Sequence, residues 1–128
     1  MLFKLICGLF IITILVAACD DTKNSDLPTI PPTNISYSKH IQPIFDLNCT
    51  SSQCHSDQEH AGGLSLTSWS NTVQDYLVVA PRHPDNSLLV QAVEGNSTYP
   101  MPPVGFQPLT MEQIKGIRTW VAEGAKNN

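Results

Sequence analysis

The chain opens with an unbroken apolar run from Leu5 to Ala18, loses all periodicity between Asp20 and Ile35, and then shows apolar positions at helical spacing in three stretches. In the first, "SYSKHIQPIFDLNC" (36–49), Ser36 is a candidate N-cap and Tyr37, Ile41, Ile44, Phe45 and Leu47 form an apolar face. Pro43 lacks a backbone donor, so it kinks this helix or moves its true start later. The second stretch, "PDNSLLVQAVEG" (84–95), turns Leu88, Leu89, Ala92 and Val93 inward and stops at Gly95. The third, "TMEQIKGIRTWVAEGA" (110–125), has Thr110 and Gln113 in capping-box spacing. Met111, Ile114, Ile117, Trp120 and Val121 follow at intervals of three and four. Gly116 inside it lowers helix propensity, so another backbone is expected to pack closely there. No run alternates long enough to predict a sheet, "GGLSL" (62–66) suits an extended segment, and the proline-rich "TYPMPPVGFQPL" (98–109) suits a shaped loop.

The apolar run has 14 residues, short of the roughly 20 a membrane-spanning helix needs, and Lys4 precedes it. It reads as an export signal covering residues 1–18. Its end, "LVAAC", resembles the lipobox of bacterial lipoproteins, and that resemblance implies acylation of Cys19 and anchoring to a membrane. Residues 19–35 then read as a lipidated cysteine followed by a proline-rich tether. From Asp20 to Ile35 such a tether, extended at about 3.1 Å per residue, would reach roughly 50 Å. Residues 36–128 are left as one small domain.

The whole chain has 128 residues, with 7 basic and 11 acidic side chains and a net charge of −4. Its Lys and Arg residues are few and unclustered, so a nucleic-acid partner is excluded. So small a domain buries a modest core, and a large apolar cofactor would help complete it.

Only two cysteines lie beyond residue 19, in "NCTSSQCHSD" (48–57), with His55 directly after the second. A disulfide closes easily across the four residues between Cys49 and Cys54 in an exported protein, but leaves His55 unexplained. Zinc recruiting Cys49, Cys54, His55 and His60 would have to ligate through adjacent residues. Haem attachment asks two thiols to reach one side of a porphyrin while the following imidazole turns to the iron. Its usual pattern is Cys-x-x-Cys-His. A spacing of five puts helical residues about 140° apart, so "TSSQ" must bulge out of helix, which Ser and Thr hydroxyls can support.

The blocks "HIQPIFDLNCTSSQCH", "GGLSL", "PRHPDNSLLVQAV" and "MPPVGFQPLTMEQIKGIRTWVAEGA" together resemble the small c-type cytochrome domains of exported bacterial proteins, with a C-x4-C-H variant of the haem motif. The resemblance implies an all-α, class I cytochrome c-like fold around a single covalently bound haem c. It implies haem attachment at Cys49 and Cys54, with His55 and Met101 as axial ligands. Met101 sits in "YPMPPVG", where a soft thioether is held by stiffening prolines. His83 in "PRHPDN" is the rival ligand, Arg82 a candidate partner for a propionate, and His40 and His60 read as solvated. Met111 reads as core. Ile44, Phe45, Leu64, Leu66, Trp69, Leu88, Leu89 and Phe106 are candidate walls. The implied function is single-electron transfer to redox partner proteins by a carrier rather than an enzyme, lipid-anchored in the cell envelope and facing the periplasm or exterior. The alternatives are a haem enzyme or sensor with an open distal site, and a haem-free lipoprotein with a Cys49–Cys54 disulfide.

Overall fold

The computed structural model describes residues 27–128; the expected signal segment 1–18 and Cys19 lie outside the described residues. Four α-helices, α1 (Gln42–Asn48), α2 (Trp69–Thr72), α3 (Leu88–Val93) and α4 (Met111–Ala122), carry the domain, and no strand occurs among the described residues. The architecture is therefore all-α, with a loop-rich middle.

Pro43 decides how the chain enters α1. Ser36 Oγ accepts from Lys39 N–H at 3.3 Å, but the turn it caps, Tyr37–Ile41, is wound as a π-helix, and Gln42 N–H reaches back to Tyr37 O. The α-geometry begins only at Gln42, which places Pro43 in the first turn, where a missing donor breaks no helical bond. His40, expected in solvent, is tied into this turn: its Nδ1 accepts from Ser36 N–H at 2.9 Å.

At the other end of the domain the capping box of α4 is complete. Thr110 Oγ1 accepts from Gln113 N–H at 3.2 Å, and Gln113 Oε1 accepts from Thr110 N–H at 2.8 Å. Ile117, Trp120 and Val121 are fully buried. Met111, expected in the core, is 67% exposed. It stands in the first turn, where the apolar stripe has run past the end of the core it faces.

Tyr37 joins the two ends of the fold, its ring 5.2 Å from that of Trp120 and 6.4 Å from that of Phe45. Trp69 and Trp120 donate their indole N–H groups to the carbonyls of Ala125 and Lys126, so both tryptophans fasten the chain beyond α4. Trp69 thus belongs to this core and not to the cofactor wall expected for it.

The stretch expected to be free tether up to residue 35 is packed on the domain from Leu27. Ile35 is 2% exposed, and Leu27 and Ile30 pack against the core. The Glu123 carboxylate accepts from the backbone N–H groups of Asn34 and Ile35 at 2.7 and 2.9 Å. Pro28, Pro31 and Pro32 make this docking inexpensive, because prolines leave little backbone entropy to lose. At Gly116 the close neighbour is a side chain rather than the expected backbone: a Cβ placed there would lie 2.8 Å from Ile30 Cγ2.

Candidate functional site

The cysteine segment departs from helix where α1 ends. Cys49 N–H and Thr50 N–H both bond to Phe45 O, at 2.7 and 3.1 Å, and Thr50 Oγ1 donates to Asp46 O at 3.2 Å. The chain then bulges and returns: Cys54 N–H bonds to Ser51 O, and His55 N–H to Cys49 O, both at 2.9 Å. This is the non-helical excursion that a four-residue spacing requires, with a threonine hydroxyl stabilising it. Cys49 and Cys54 are free thiols with no disulfide between them. Burial, and then the neighbouring Cys54, push the Cys49 thiol up to about 12.

His55 is held by the returning chain. Leu66 N–H donates to His55 O at 2.9 Å, and His55 Nδ1 lies 3.3 Å from Leu64 O. A carbonyl can only accept, so Nδ1 is the donor in that contact, which leaves Nε2 as the nitrogen that could ligate. A bond of this kind at the far ring nitrogen is the usual way a ligating imidazole is oriented. Leu64 and Leu66 turn their side chains to one side of this extended segment while Ser65, between them, is buried on the other. From α1, Gln42 Nε2 donates to Leu66 O at 3.0 Å, which fixes the segment from a second direction.

Cys49, Cys54, His55 and Met101 all line one cavity of about 280 Å³. Its remaining walls are mostly apolar, with Leu64 and Leu66 on one side and Leu88 and Leu89 of α3 on another. Tyr99, Phe106 and Leu109 of the proline-rich loop close it further, and no Asp, Glu, Lys or Arg borders it. The loop carrying Met101 is pinned to α3 by Met101 N–H donating to Ala92 O at 2.9 Å, and the Met101–Pro102 peptide is cis.

Several expected residues lie elsewhere. His83 is exposed and does not border the cavity; its carbonyl accepts from Ser87 Oγ at 3.2 Å. Arg82 stands at φ 68° with its side chain over Gly124, away from the cavity. Ile44 and Phe45 are fully buried in the core behind it. His60 is exposed, and no three His, Cys, Asp or Glu side chains assemble as a metal site among the described residues, so the zinc reading finds no donor set.

Sequence reasoning missed Val78, Tyr99 and Leu109 as walls, because no local pattern marks them. It also missed Asp57, whose Oδ1 accepts from Ser65 Oγ at 2.6 Å, Thr67 Oγ1 at 2.7 Å and Asn71 Nδ2 at 3.2 Å. The Ser65 bond first, then that of Thr67, holds the Asp57 carboxyl below its ordinary range. The available signal was an aspartate two residues after His55, with Ser65, Thr67 and Asn71 following 8, 10 and 14 residues later.

A haem fits these residues on their chemistry. The cavity is mostly apolar, and two thiols, an imidazole and a thioether share its lining. Its volume is near the lower end of small-molecule sites and it opens among exposed apolar side chains, Phe106 at 56% and Tyr99 at 76%.

Residues 52–105 match the family model of planctomycete cytochrome C. The matched stretch holds Cys54, His55 and Met101 and ends at Gly105; Cys49 lies just before it. Among curated proteins and solved structures nothing matches. The match supports a cytochrome c-like domain, in which a covalently bound haem c and electron transfer are the general expectation.

Proposed function

We propose that this chain is a monohaem c-type cytochrome, lipid-anchored at Cys19 and carrying single electrons outside the cytoplasm. The observation that carries the reading is the convergence of Cys49, Cys54, His55 and Met101 on one apolar, charge-free cavity. Bound there, the haem supplies one-electron redox chemistry, and the protein sets its potential and access.

The chain's own part is attachment, orientation and exclusion of water. Cys49 and Cys54 would hold the group by thioether bonds. His55 would present Nε2, with Nδ1–H fixed on Leu64 O, and Met101 would offer its thioether from a loop tied to α3. Leu64, Leu66, Leu88 and Leu89 keep the surroundings dry. With His55 and Met101 both held as donors, the site would favour a raised potential and simple one-electron exchange, which suits a carrier and not an enzyme.

The test is a reduced-minus-oxidised spectrum with a pyridine haemochrome assay on protein made in an exporting, haem-ligating host. One haem per chain that resists acid and acetone extraction is the expected result. Complete extraction would overturn covalent attachment, and a colourless protein with a Cys49–Cys54 disulfide would leave the haem-free lipoprotein reading. Rapid carbon monoxide binding by the unmutated reduced protein would pass the function to a sensor or enzyme.

A further inference from the structure

We propose that Asp57 is a positioning residue for the proximal ligand, clasping the segment whose carbonyl orients the His55 imidazole. This rests on the haem reading above. The bond that sets the ring is His55 Nδ1–H to Leu64 O, at 3.3 Å. Its acceptor sits at the end of a reversal, 56–63, that contains three residues at positive φ: His60 at 45°, Gly62 at 66° and Gly63 at 78°. The reversal's own bonds, His60 N–H to Ser56 O at 3.0 Å, Gly63 N–H to His60 O at 2.6 Å and Leu64 N–H to Ala61 O at 3.3 Å, are local to it and do not tie the Leu64 carbonyl to the segment that follows His55.

The clasp does. Asp57 is two residues past His55, and Ser65 is one residue past Leu64. The 2.6 Å bond from Ser65 Oγ to Asp57 Oδ1 therefore ties together the two chain segments that the imidazole bond spans. Thr67 Oγ1 donates to the same oxygen at 2.7 Å and Asn71 Nδ2 at 3.2 Å, which extends the tie to α2. Asn71 Nδ2 also lies 3.3 Å from both Ser65 Oγ and Thr67 Oγ1, so all four side chains form one unit. Ser65 is 5% exposed and faces Asp57, while Leu64 and Leu66 on either side face the cavity. A shift of Ser65 toward solvent would carry the Leu64 carbonyl with it. Gln42 Nε2 holds Leu66 O independently, so loss of the clasp should loosen the Leu64 carbonyl without unfolding the segment.

Two sets of variants separate position from charge. Ser65→Ala with Thr67→Val removes two donors and leaves the Asp57 charge in place. Asp57→Asn removes the charge but keeps an oxygen acceptor, and Asp57→Ala removes both. Each holoprotein is first assayed for covalent haem. The readouts are then exchange of the His55 Nδ1 proton by ¹⁵N NMR of the diamagnetic ferrous form and the low-spin g-values of the ferric form. Outer-shell partners of a ligating histidine carry effects of 10- to 100-fold. On that scale, Nδ1 proton exchange should accelerate by about tenfold in Asp57→Ala and in the double variant, with altered g-values. Asp57→Asn should stay near the unmutated protein. If Asp57→Ala does not fold, Ser65→Ala alone should still speed exchange by a smaller factor, and no change there overturns the proposal. Unchanged exchange and g-values in the double variant overturn it too, as does a change in Asp57→Asn as large as in Asp57→Ala, which would make the effect one of charge. An unmutated protein without covalent haem would sink the haem reading itself, and a haem-bearing protein with indifferent variants would sink the clasp alone.

Discussion

Substituting Gly116 by alanine sets two effects of similar size against each other. In the interior of α4 the change should gain about 1 kcal/mol of helix propensity. The new Cβ would stand 2.8 Å from Ile30 Cγ2 and 3.2 Å from Ile30 Cδ1, closer than packed carbons approach. Ile30 is β-branched and stiff at χ1, so it cannot simply rotate away. Overpacking costs about 1–3 kcal/mol, but the cost is capped, because Ile30 can lift off α4. Full burial of an isoleucine is worth about 1.5–3 kcal/mol, so a half-buried Ile30 contributes about 1 kcal/mol. Gly116→Ala alone should therefore be nearly neutral, with the strap at residues 27–33 lifted.

Ile30→Ala alone should cost about that same 1 kcal/mol. In the double variant the small side chain at position 30 leaves room for the new methyl, so the propensity gain returns and offsets the loss. The cycle then shows a favourable coupling of about 1 kcal/mol, well above the few tenths expected of independent sites. Urea unfolding followed by far-UV circular dichroism resolves this, since 1 kcal/mol moves a midpoint by about 0.5 M at a slope near 2 kcal/mol/M. If Gly116→Ala alone stabilises by the full propensity term and the coupling vanishes, Ile30 does not rest on Gly116 and the strap is free.

The remaining predictions concern the haem, one hinge and the anchor. Met101→Ala should shift the ferric spectrum toward high spin and let the reduced form bind carbon monoxide, whereas Met101→His should stay low-spin at a lower potential; a null Met101→Ala beside a perturbing His83→Ala would reassign the distal ligand. Ser87→Ala should destabilise by about 2 kcal/mol, because the buried Ala80 N–H, now 2.8 Å from Ser87 Oγ, loses its acceptor without any gain in space; a change below about 0.5 kcal/mol in denaturant would refute this. Cys19→Ala should abolish partition into membranes and leave the haem spectrum untouched, and a membrane-bound variant would point instead to an uncleaved apolar helix at residues 5–18.

What was legible in the chain tracks how local its cause is. The Thr110–Gln113 pair needs only four residues to close its two bonds, and α4 begins where that spacing places it. Gly116 likewise announced a close contact, though not that the contact would come from Ile30, a residue 86 positions earlier. The strap was misjudged because prolines and polar residues mark tethers when alone, and only Glu123 and the face of α4 make docking favourable. Helix α2 spans four residues, too short for any period to register. Its one signal was Ser68, whose Oγ accepts from Asn71 N–H. Met111 was placed inside by extending a period one turn too far. At the site, adjacency, stiff punctuation and the family resemblance marked Cys49, Cys54, His55 and Met101 as candidates, and the structure brings all four to one cavity, while the Asp57 clasp depends on a chain reversal that no short-range pattern describes.

The shape of the core gives a physical reason for a covalent cofactor. Helices of four to seven residues are unstable alone in water, and α1, α2 and α3 are all that short. They persist here by packing, and the cavity bordered by Leu64, Leu66, Leu88 and Leu89 lies against α3 and the end of α1. Leaving such a surface wet forfeits roughly 25 cal/mol for each Å² that a cofactor would cover. A ligand that binds only the folded state stabilises it by mass action, and a tethered one remains at high effective concentration whatever the surroundings. Two thioether bonds at the end of α1 would also bridge Cys49 and Cys54 through a rigid ring, restricting the unfolded chain as a cross-link does. On this argument the cysteines serve the fold as much as the redox chemistry. A haem held there would cover apolar surface that α3 and the surrounding loops leave open.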